Sequence, residues 1–385
     1  MKYVGFLLHA YQPSWQFPDM LRKIAKECYE PIFTSISEEP LMRFTVNINY
    51  ALLEQLEKIG LTKTLGKIKK CLTEKKIEIT GSGAYHPILP LLPGEEAERQ
   101  IILNETGFKK VLGKFDKGGF FPPEMAFEKK IACLIRRIGY RWVIADDIPF
   151  AAKYGYSPFD FISTTGELPI FLRSSLWSKR IALERNSDGN KFRAEEIVNW
   201  LQGDLENWFA GRDGYVIIAM DMETFGHHLP EYRSFLKDFA GAVGNQKGME
   251  LVFVSQLLDI FPKREIEVPA GSWSTQVNDL SQDNPYPLWR DRFSQPHEFL
   301  WQLVNLALAS LKKEDIRTRR LMNLGFNSCQ FWWISRDHWD PNLAFRTVPL
   351  LVKIIVKDKP ENINRANEIL AKLEEITQFK ISGLL

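Results

Sequence analysis

The sequence predicts an α/β protein: a closed or nearly closed barrel of parallel strands, followed by a helical region packed against it. Three observations predict this. Short apolar runs alternate with longer amphipathic stretches over residues 1–269, the pattern of a parallel sheet covered on its faces. Polar and charged residues collect just after those runs, at strand ends that converge on one face of such a barrel. Beyond about residue 265 the alternation gives way to helix-period patterns.

Taken in order, Tyr3–Leu8, Phe44–Ile48, Ile77–Thr80, Gly119–Phe121, Arg141–Ala145, Pro169–Leu172 and Tyr215–Met220 read as buried strands, and Leu251–Val254 is a candidate eighth. Between them, Leu52, Leu56, Ile59 and Leu61 fall in one helical stretch, and Ile131, Leu134, Ile135 and Ile138 form an apolar stripe in another. Pro262, Pro269 and Gly271 punctuate the chain before a polar loop through Ser272–Pro296. Glu298–Leu311, Pro341–Val356 and Ile363–Ile376 then read as helices. The expected organisation is a barrel over residues 1–269 and a helical region over 270–385 that completes a cleft. Three aromatic-rich segments interrupt that region: Gly271–Ser274 with Trp273, Asn284–Trp289, and Gln330–Ser335 with Trp332 and Trp333. Each reads either as core packing or as a cleft wall.

Composition narrows the function classes. A 45% hydrophobic content supplies a core, and a net charge of +2 favours neither nucleic acid nor an acidic membrane surface. The lysine-rich stretches 63–76 and 109–117 read as solvated helix faces, without the interleaved aromatics of a nucleic-acid groove. No apolar run approaches membrane-spanning length, and the chain opens directly into a strand, so neither a membrane partner nor a secretory leader is expected. Four scattered cysteines (Cys28, Cys71, Cys133, Cys329) read as reduced, buried thiols of a cytoplasmic protein. Eleven tryptophans stand out. Their flat faces stack well on sugar rings.

The strand ends supply the chemistry. His9 ends the first strand, with Tyr11 and Gln12 just beyond; Tyr85 and His86 follow the third; Glu124 follows the fourth; Asp146 and Asp147 follow the fifth; Arg173 ends the sixth; Asp221, Glu223 and His227 follow the seventh. Two carboxyl groups, Glu124 and Asp221, nearly a hundred residues apart yet on one barrel face, are what a glycosidase needs: one to attack an anomeric carbon, one to protonate the leaving oxygen. Pro122 and Pro123 stiffen the turn before Glu124. Glu223, two residues from Asp221, would raise one of their pKa values by repulsion if both reach the same cleft. His9, His86, His227 and His228 also admit a metal-binding reading, but no His-x-x-x-His or similar spacing appears, and hydrogen bonds from His9 and His86 to sugar hydroxyls are the preferred reading. His297 and His338 read as structural.

Five segments in order resemble glycoside hydrolase family 57, the amylase, amylopullulanase, branching-enzyme and 4-α-glucanotransferase group. His9–Pro13 resembles the first motif, Gly81–Pro90 the second, Gly119–Phe127 the third, Asp221–Gly226 the fourth and Gln330–Ser335 the fifth. The resemblance implies a (β/α)7 barrel with a helical region, α-glucan or malto-oligosaccharide as substrate, and a retaining mechanism with no metal or other cofactor. It implies Glu124 as nucleophile and Asp221 as general acid/base, with His9, His86 and Trp333 against the sugar. Tyr11, Gln12, Tyr85, Arg173, Glu223, His227, Trp273 and Trp332 complete the expected substrate-binding set. One departure is plain: Tyr11 stands where the first motif usually has a second histidine. The alternatives are a metal-dependent polysaccharide deacetylase or mannosidase-like enzyme on a related barrel, with ligands near His9, Asp146 or His227, and a glucan-binding homologue without turnover.

Overall fold

A computed structural model describes residues 1–312 and 315–381 of the chain. Ten strands form one sheet: β1 (Lys2–Ala10), β2 (Phe44–Ile48), β3 (Ile77–Gly81), β4 (Gly119–Phe120), β5 (Trp142–Asp146), β6 (Ile162–Thr165), β7 (Leu168–Arg173), β8 (Gly214–Asp221), β9 (Met249–Val252) and β10 (Lys263–Glu265). Their order is β10-β6-β7-β5-β4-β3-β2-β1-β8. The seven strands read from the sequence are β1, β2, β3, β4, β5, β7 and β8, and every neighbouring pair among them is parallel. They curl into a barrel bridged at the seam by a backbone hydrogen bond from Ser174 N to the Ile217 carbonyl at 2.7 Å.

The candidate eighth strand, β9, is real but lies outside that ring. It pairs with Lys2–Gly5 of β1, while β2 pairs with Leu7–Ala10. One edge of a long strand is thus divided between two short neighbours. Strand β6 escaped the sequence reading because Ser163, Thr164 and Thr165 carry no apolar run; it is held antiparallel to β7 by a tight hairpin through Gly166 and Glu167, both at positive φ. β10 is an exposed three-residue edge paired with β6.

The strand interiors are buried without alternation, as expected where helices cover the outer face and side chains fill the inside. Helix starts follow local chemistry. Asn49 caps Tyr50–Lys58 by accepting from Leu52 N at 3.3 Å, and Asp146 caps Asp147–Tyr154 by accepting from Ile148 N at 3.1 Å. Inside the barrel, space is tight at β4: a Cβ on Gly119 would sit 2.0 Å from the Trp142 ring.

After residue 270 the structure is helical. The long helices are Gln295–Ser310, Val348–Asp358 and Ile363–Thr377. The predicted run from Pro341 breaks into a short helix, Pro341–Ala344, and a turn before Val348. Helix Ile316–Gly325 was not anticipated, because its arginines and threonine mask the apolar face. Among the described residues no helix is long and apolar enough to cross a membrane. All four cysteines are free, but only Cys28 and Cys71 are buried; Cys133 is exposed and Cys329 is half-buried. The expectation of four buried thiols is corrected to that extent.

Candidate active site

The strand ends open onto a cavity of about 290 Å³, lined by His9, His86, Glu124, Asp221, Glu223 and Trp273 among others. A larger cavity of about 480 Å³ lies around Trp208 and Arg212. The smaller one gathers the acidic pair and the histidines, so the chemistry is sought there.

Glu124 is placed by a strained turn. β4 ends at Phe120, and Glu124 and Met125 both adopt left-handed backbone, φ 58° and 49°. Non-glycine residues held there cost on the order of 1–3 kcal/mol and persist only where the surroundings over-determine them. Here Met125 N donates to the Pro122 carbonyl at 2.8 Å, and Trp273 N donates to the Glu124 carbonyl at 3.2 Å. Phe127 and Gly271 exchange two further backbone bonds. The first loop of the helical region therefore clamps the turn. Both carboxylate oxygens are engaged: Oε2 accepts from Trp273 Nε1 at 3.0 Å and Oε1 from Ser328 Oγ at 2.8 Å. Burial raises the Glu124 pKa, and the Ser328 bond, His9 and the Trp273 bond oppose the rise.

Asp221 ends β8 in register with His9 on β1. Solvent reaches its side chain from the cleft, although protein packs densely around it. The pKa is pushed up to about 7, first by desolvation and then by the negative charge of Glu124, with Arg173 acting against both. Glu223 is buried one turn further on. Its Oε1 accepts from Tyr11 N at 3.3 Å, Gln12 Nε2 at 3.1 Å and the Tyr29 hydroxyl. Burial and the Asp221 charge still raise Glu223 to about 7. The Asp221 charge thus adds to the rise at Glu223, while the rise at Asp221 comes from burial and from Glu124.

The remaining predicted residues divide into two groups. Tyr11, Gln12 and Trp332 line the cavity, Tyr11 lying flat on His86 with ring centres 3.8 Å apart. Tyr85, Arg173, His227 and Trp333 do not. The Tyr85 hydroxyl turns to Glu54 at 2.9 Å. His227 Nδ1 meets Glu27 at 2.7 Å, and His228 faces the cavity in its place. Trp333 packs edge-on against Trp332. Arg173 stands behind Trp273, its guanidinium 5.5 Å from the ring centre, and pairs with Asp146 at 3.3 Å. His297 is buried between Asp291 N and the Phe331 carbonyl, a structural role, and His338 stacks on Trp332.

Sequence reasoning passed over Ser328 and gave Cys329 no part in the site. Both arrive through a short helix, Cys329–Trp332, whose entry is tied to the barrel: Ser328 N donates to the His86 carbonyl at 3.1 Å, and Asn327 bridges Pro87. Their adjacency to the Trp332–Trp333 pair was the available signal; the contact to Glu124, 204 residues away, was not. Among the described residues no group of three or more His, Cys, Asp or Glu side chains is disposed to hold a metal ion. The ligand set that the deacetylase-like alternative needs is not assembled near His9, Asp146 or His227.

Residues 8–269 match the family model for glycosyl hydrolase family 57. An alpha-amylase of Pyrococcus horikoshii is 28% identical over 279 residues, covering 70% of this chain and 42% of that protein. The chain thus spans under half the length of that relative. Among solved structures, a GH57-type branching enzyme from Pyrococcus horikoshii superposes with a TM-score of 0.73 at 15% identity, covering 98% of this chain and 95% of the other. A 4-alpha-glucanotransferase from Thermococcus litoralis gives 0.72 at 17% identity, covering 92% and 59%. At these identities the likeness speaks for the fold, a (β/α)7 barrel with a helical region. The chain belongs to glycosyl hydrolase family 57.

Proposed function

We propose that this family 57 member cleaves or transfers α-glucan chains with retention, through a covalent glycosyl-enzyme intermediate. The observation that supports the reading best is the unequal treatment of the two carboxyls. Glu124 receives two hydrogen bonds that favour its ionised form. Asp221 receives none among the causes that set its pKa, and takes the repulsion of Glu124 instead. Two acids whose surroundings push their proton affinities apart are an acid/base assignment in the making.

On this reading Glu124, ionised, attacks the anomeric carbon while Asp221 gives its proton to the leaving oxygen. The carboxylate then becomes an ester and the departing sugar leaves as an alcohol. Asp221, now ionised, takes a proton from water or from a sugar hydroxyl as that oxygen displaces Glu124. Water gives hydrolysis and a sugar gives transfer; the two differ only in which oxygen reaches the intermediate. Trp273 both holds Glu124 and offers an aromatic face at the cleft wall, while His9 and His86 line the cleft with their ring nitrogens turned to Asn47, to each other and to Ser328. Barrel (1–269) and helical region (270–385) act together, since Trp273 and Ser328 come from the second and Glu124 from the first.

Malto-oligosaccharides and α-1,6-branched gluco-oligosaccharides supply the test. Shortened products with the α configuration at the new reducing end support hydrolysis, and lengthened ones support transfer. Inverted products, or removal of acetyl groups from a polysaccharide instead, would overturn the proposal.

A further inference from the structure

A line of buried hydrogen bonds runs from the barrel wall to Glu124. Asn47 on β2 donates through Nδ2 to Thr80 Oγ1 at 2.9 Å and to the Gly81 carbonyl at 3.3 Å. A carbonyl only accepts, so the amide orientation is fixed and Asn47 Oδ1 faces His9 Nδ1 at 2.8 Å as an acceptor. His9 Nε2 then meets His86 Nε2 at 3.1 Å. His86 Nδ1 lies 2.9 Å from Ser328 Oγ, and Ser328 Oγ lies 2.8 Å from Glu124 Oε1.

Counting hydrogens along this line gives an imbalance. Four hydrogen bonds join Asn47, His9, His86, Ser328 and Glu124, and each needs one hydrogen between its two heavy atoms; His86 Nδ1 also approaches Glu124 Oε1 directly, at the longer distance of 3.4 Å. Two neutral imidazoles and one hydroxyl supply three. An ionised Glu124 supplies none, so two lone pairs must then face each other somewhere along this buried line. Burying an unpaired polar atom costs about 1–3 kcal/mol, which makes the shortfall expensive.

We propose that this line holds one additional proton, shared between Glu124 and the imidazoles of His9 and His86, and that Ser328 is the positioning residue through which it passes. The inference rests on the reading of Glu124 as nucleophile. In the transfer, the proton on Glu124 Oε1 moves to Ser328 Oγ as the Ser328 hydroxyl proton moves to His86 Nδ1. Glu124 becomes a carboxylate and His86 an imidazolium, with no atom gained or lost. The nucleophile is thus unmasked by an internal proton shift, without a proton passing through the substrate-filled cleft.

The other titratable or charged groups near Glu124 are Asp221 from β8, Tyr11 from the β1 loop, Cys329 from the short helix, and Arg173 behind Trp273. Burial keeps the Tyr11 phenol and the Cys329 thiol, the latter at about 12, protonated. Asp221 and, in the same cavity, Glu223, each raised to about 7, are therefore the neighbours that titrate in the working range. Burial also draws both imidazoles down to about 3 and raises Glu124.

The test is ¹⁵N NMR of histidine-labelled, ligand-free protein across pH, on wild type, Glu124→Gln and Ser328→Ala. With Glu124 protonated, the expected tautomers are His9 on Nδ1 and His86 on Nε2. Glu124→Gln shows the same pair, because its amide N–H donates to Ser328 and completes the line. As Glu124 ionises in wild type, the His86 Nδ1 signal moves; it stays still in Glu124→Gln and decouples in Ser328→Ala. A neutral His86 protonated on Nδ1, or a His86 titration identical in wild type and Glu124→Gln, overturns the proposal. If Ser328→Ala fails to fold, the comparison with Glu124→Gln still decides. The readout needs no turnover, so its failure is distinct from failure of the glucan reading, which the product analysis tests.

Discussion

Asp221 at the end of β8 lies within the field of Glu124 beyond the end of β4, and once Glu124 is ionised its charge adds to desolvation in holding the Asp221 carboxyl near 7. Replacing Glu124 by Gln removes that charge and keeps the shape. The Asp221 pKa is then expected to fall below about 7, followed by carbon-detected NMR of the carboxyl. An unchanged value would mean that the two groups do not sense each other. In catalysis, Glu124→Gln and Asp221→Asn should each lower turnover by about 10³-fold or more while thermal unfolding stays cooperative.

With Asp221 as the proton donor, activity should decline as pH rises through about 7, since the acid form is lost there. Asp221→Asn supplies no proton at any pH, so the residual rate with good leaving groups such as aryl glycosides should lose that alkaline limb. Rate profiles measured on both substrates check this.

Glu223 makes a stability prediction with a definite sign. Its folded-state pKa is raised to about 7 from the usual 4.5, so the folded protein prefers the protonated form. Stability from this group is fully present below about 4.5 and is lost as pH rises through 7. Glu223→Gln imitates the protonated carboxyl. It should unfold at higher denaturant than wild type at pH 8, by about 1–2 kcal/mol, with no advantage at pH 4. Urea melts at the two pH values decide.

Trp273→Phe retains an aromatic face but deletes the indole N–H that reaches Glu124 Oε2 at 3.0 Å. One hydrogen bond to a charged group is worth about 1.5–3 kcal/mol, so kcat should drop about tenfold or more. KM should change much less, because the stacking surface remains. A loss confined to KM would assign Trp273 to substrate binding alone.

Gly119→Ala tests the barrel interior. The new Cβ would lie 2.0 Å from the Trp142 ring, which is itself fully buried between strands. Overpacking of this kind costs about 1–3 kcal/mol, and more where the ring cannot rotate away. Thermal unfolding should shift down accordingly, and activity with it, because Glu124 follows five residues later on the same turn.

How legible all this was in the sequence depended on the range of the signal. Most of the barrel strands are continuous apolar runs, such as Val4–Leu8 and Tyr215–Met220, and burial on both faces writes that pattern directly; β2 and β3 carry Thr45, Asn47 and Glu78 between their apolar residues. β6 and Ile316–Gly325 lack such runs and depend on neighbours for their burial. Glu124, Asp221, His9 and His86 were readable because strand ends in a barrel converge. Tyr85 and His227 obey the same rule yet turn to Glu54 and Glu27, since a position at a strand end does not fix a rotamer. Ser328 could not be read at all: a serine has meaning only through the carboxylate it meets, here brought from a different part of the chain.

The most direct measurement is trapping of the intermediate with a fluorinated α-glucosyl fluoride, followed by peptide mass mapping. The account predicts one glycosyl group on the peptide containing Glu124, formed in wild type and absent in Glu124→Gln. A label on another residue, or steady turnover of α-glucans with no covalent adduct and inverted products, would contradict it.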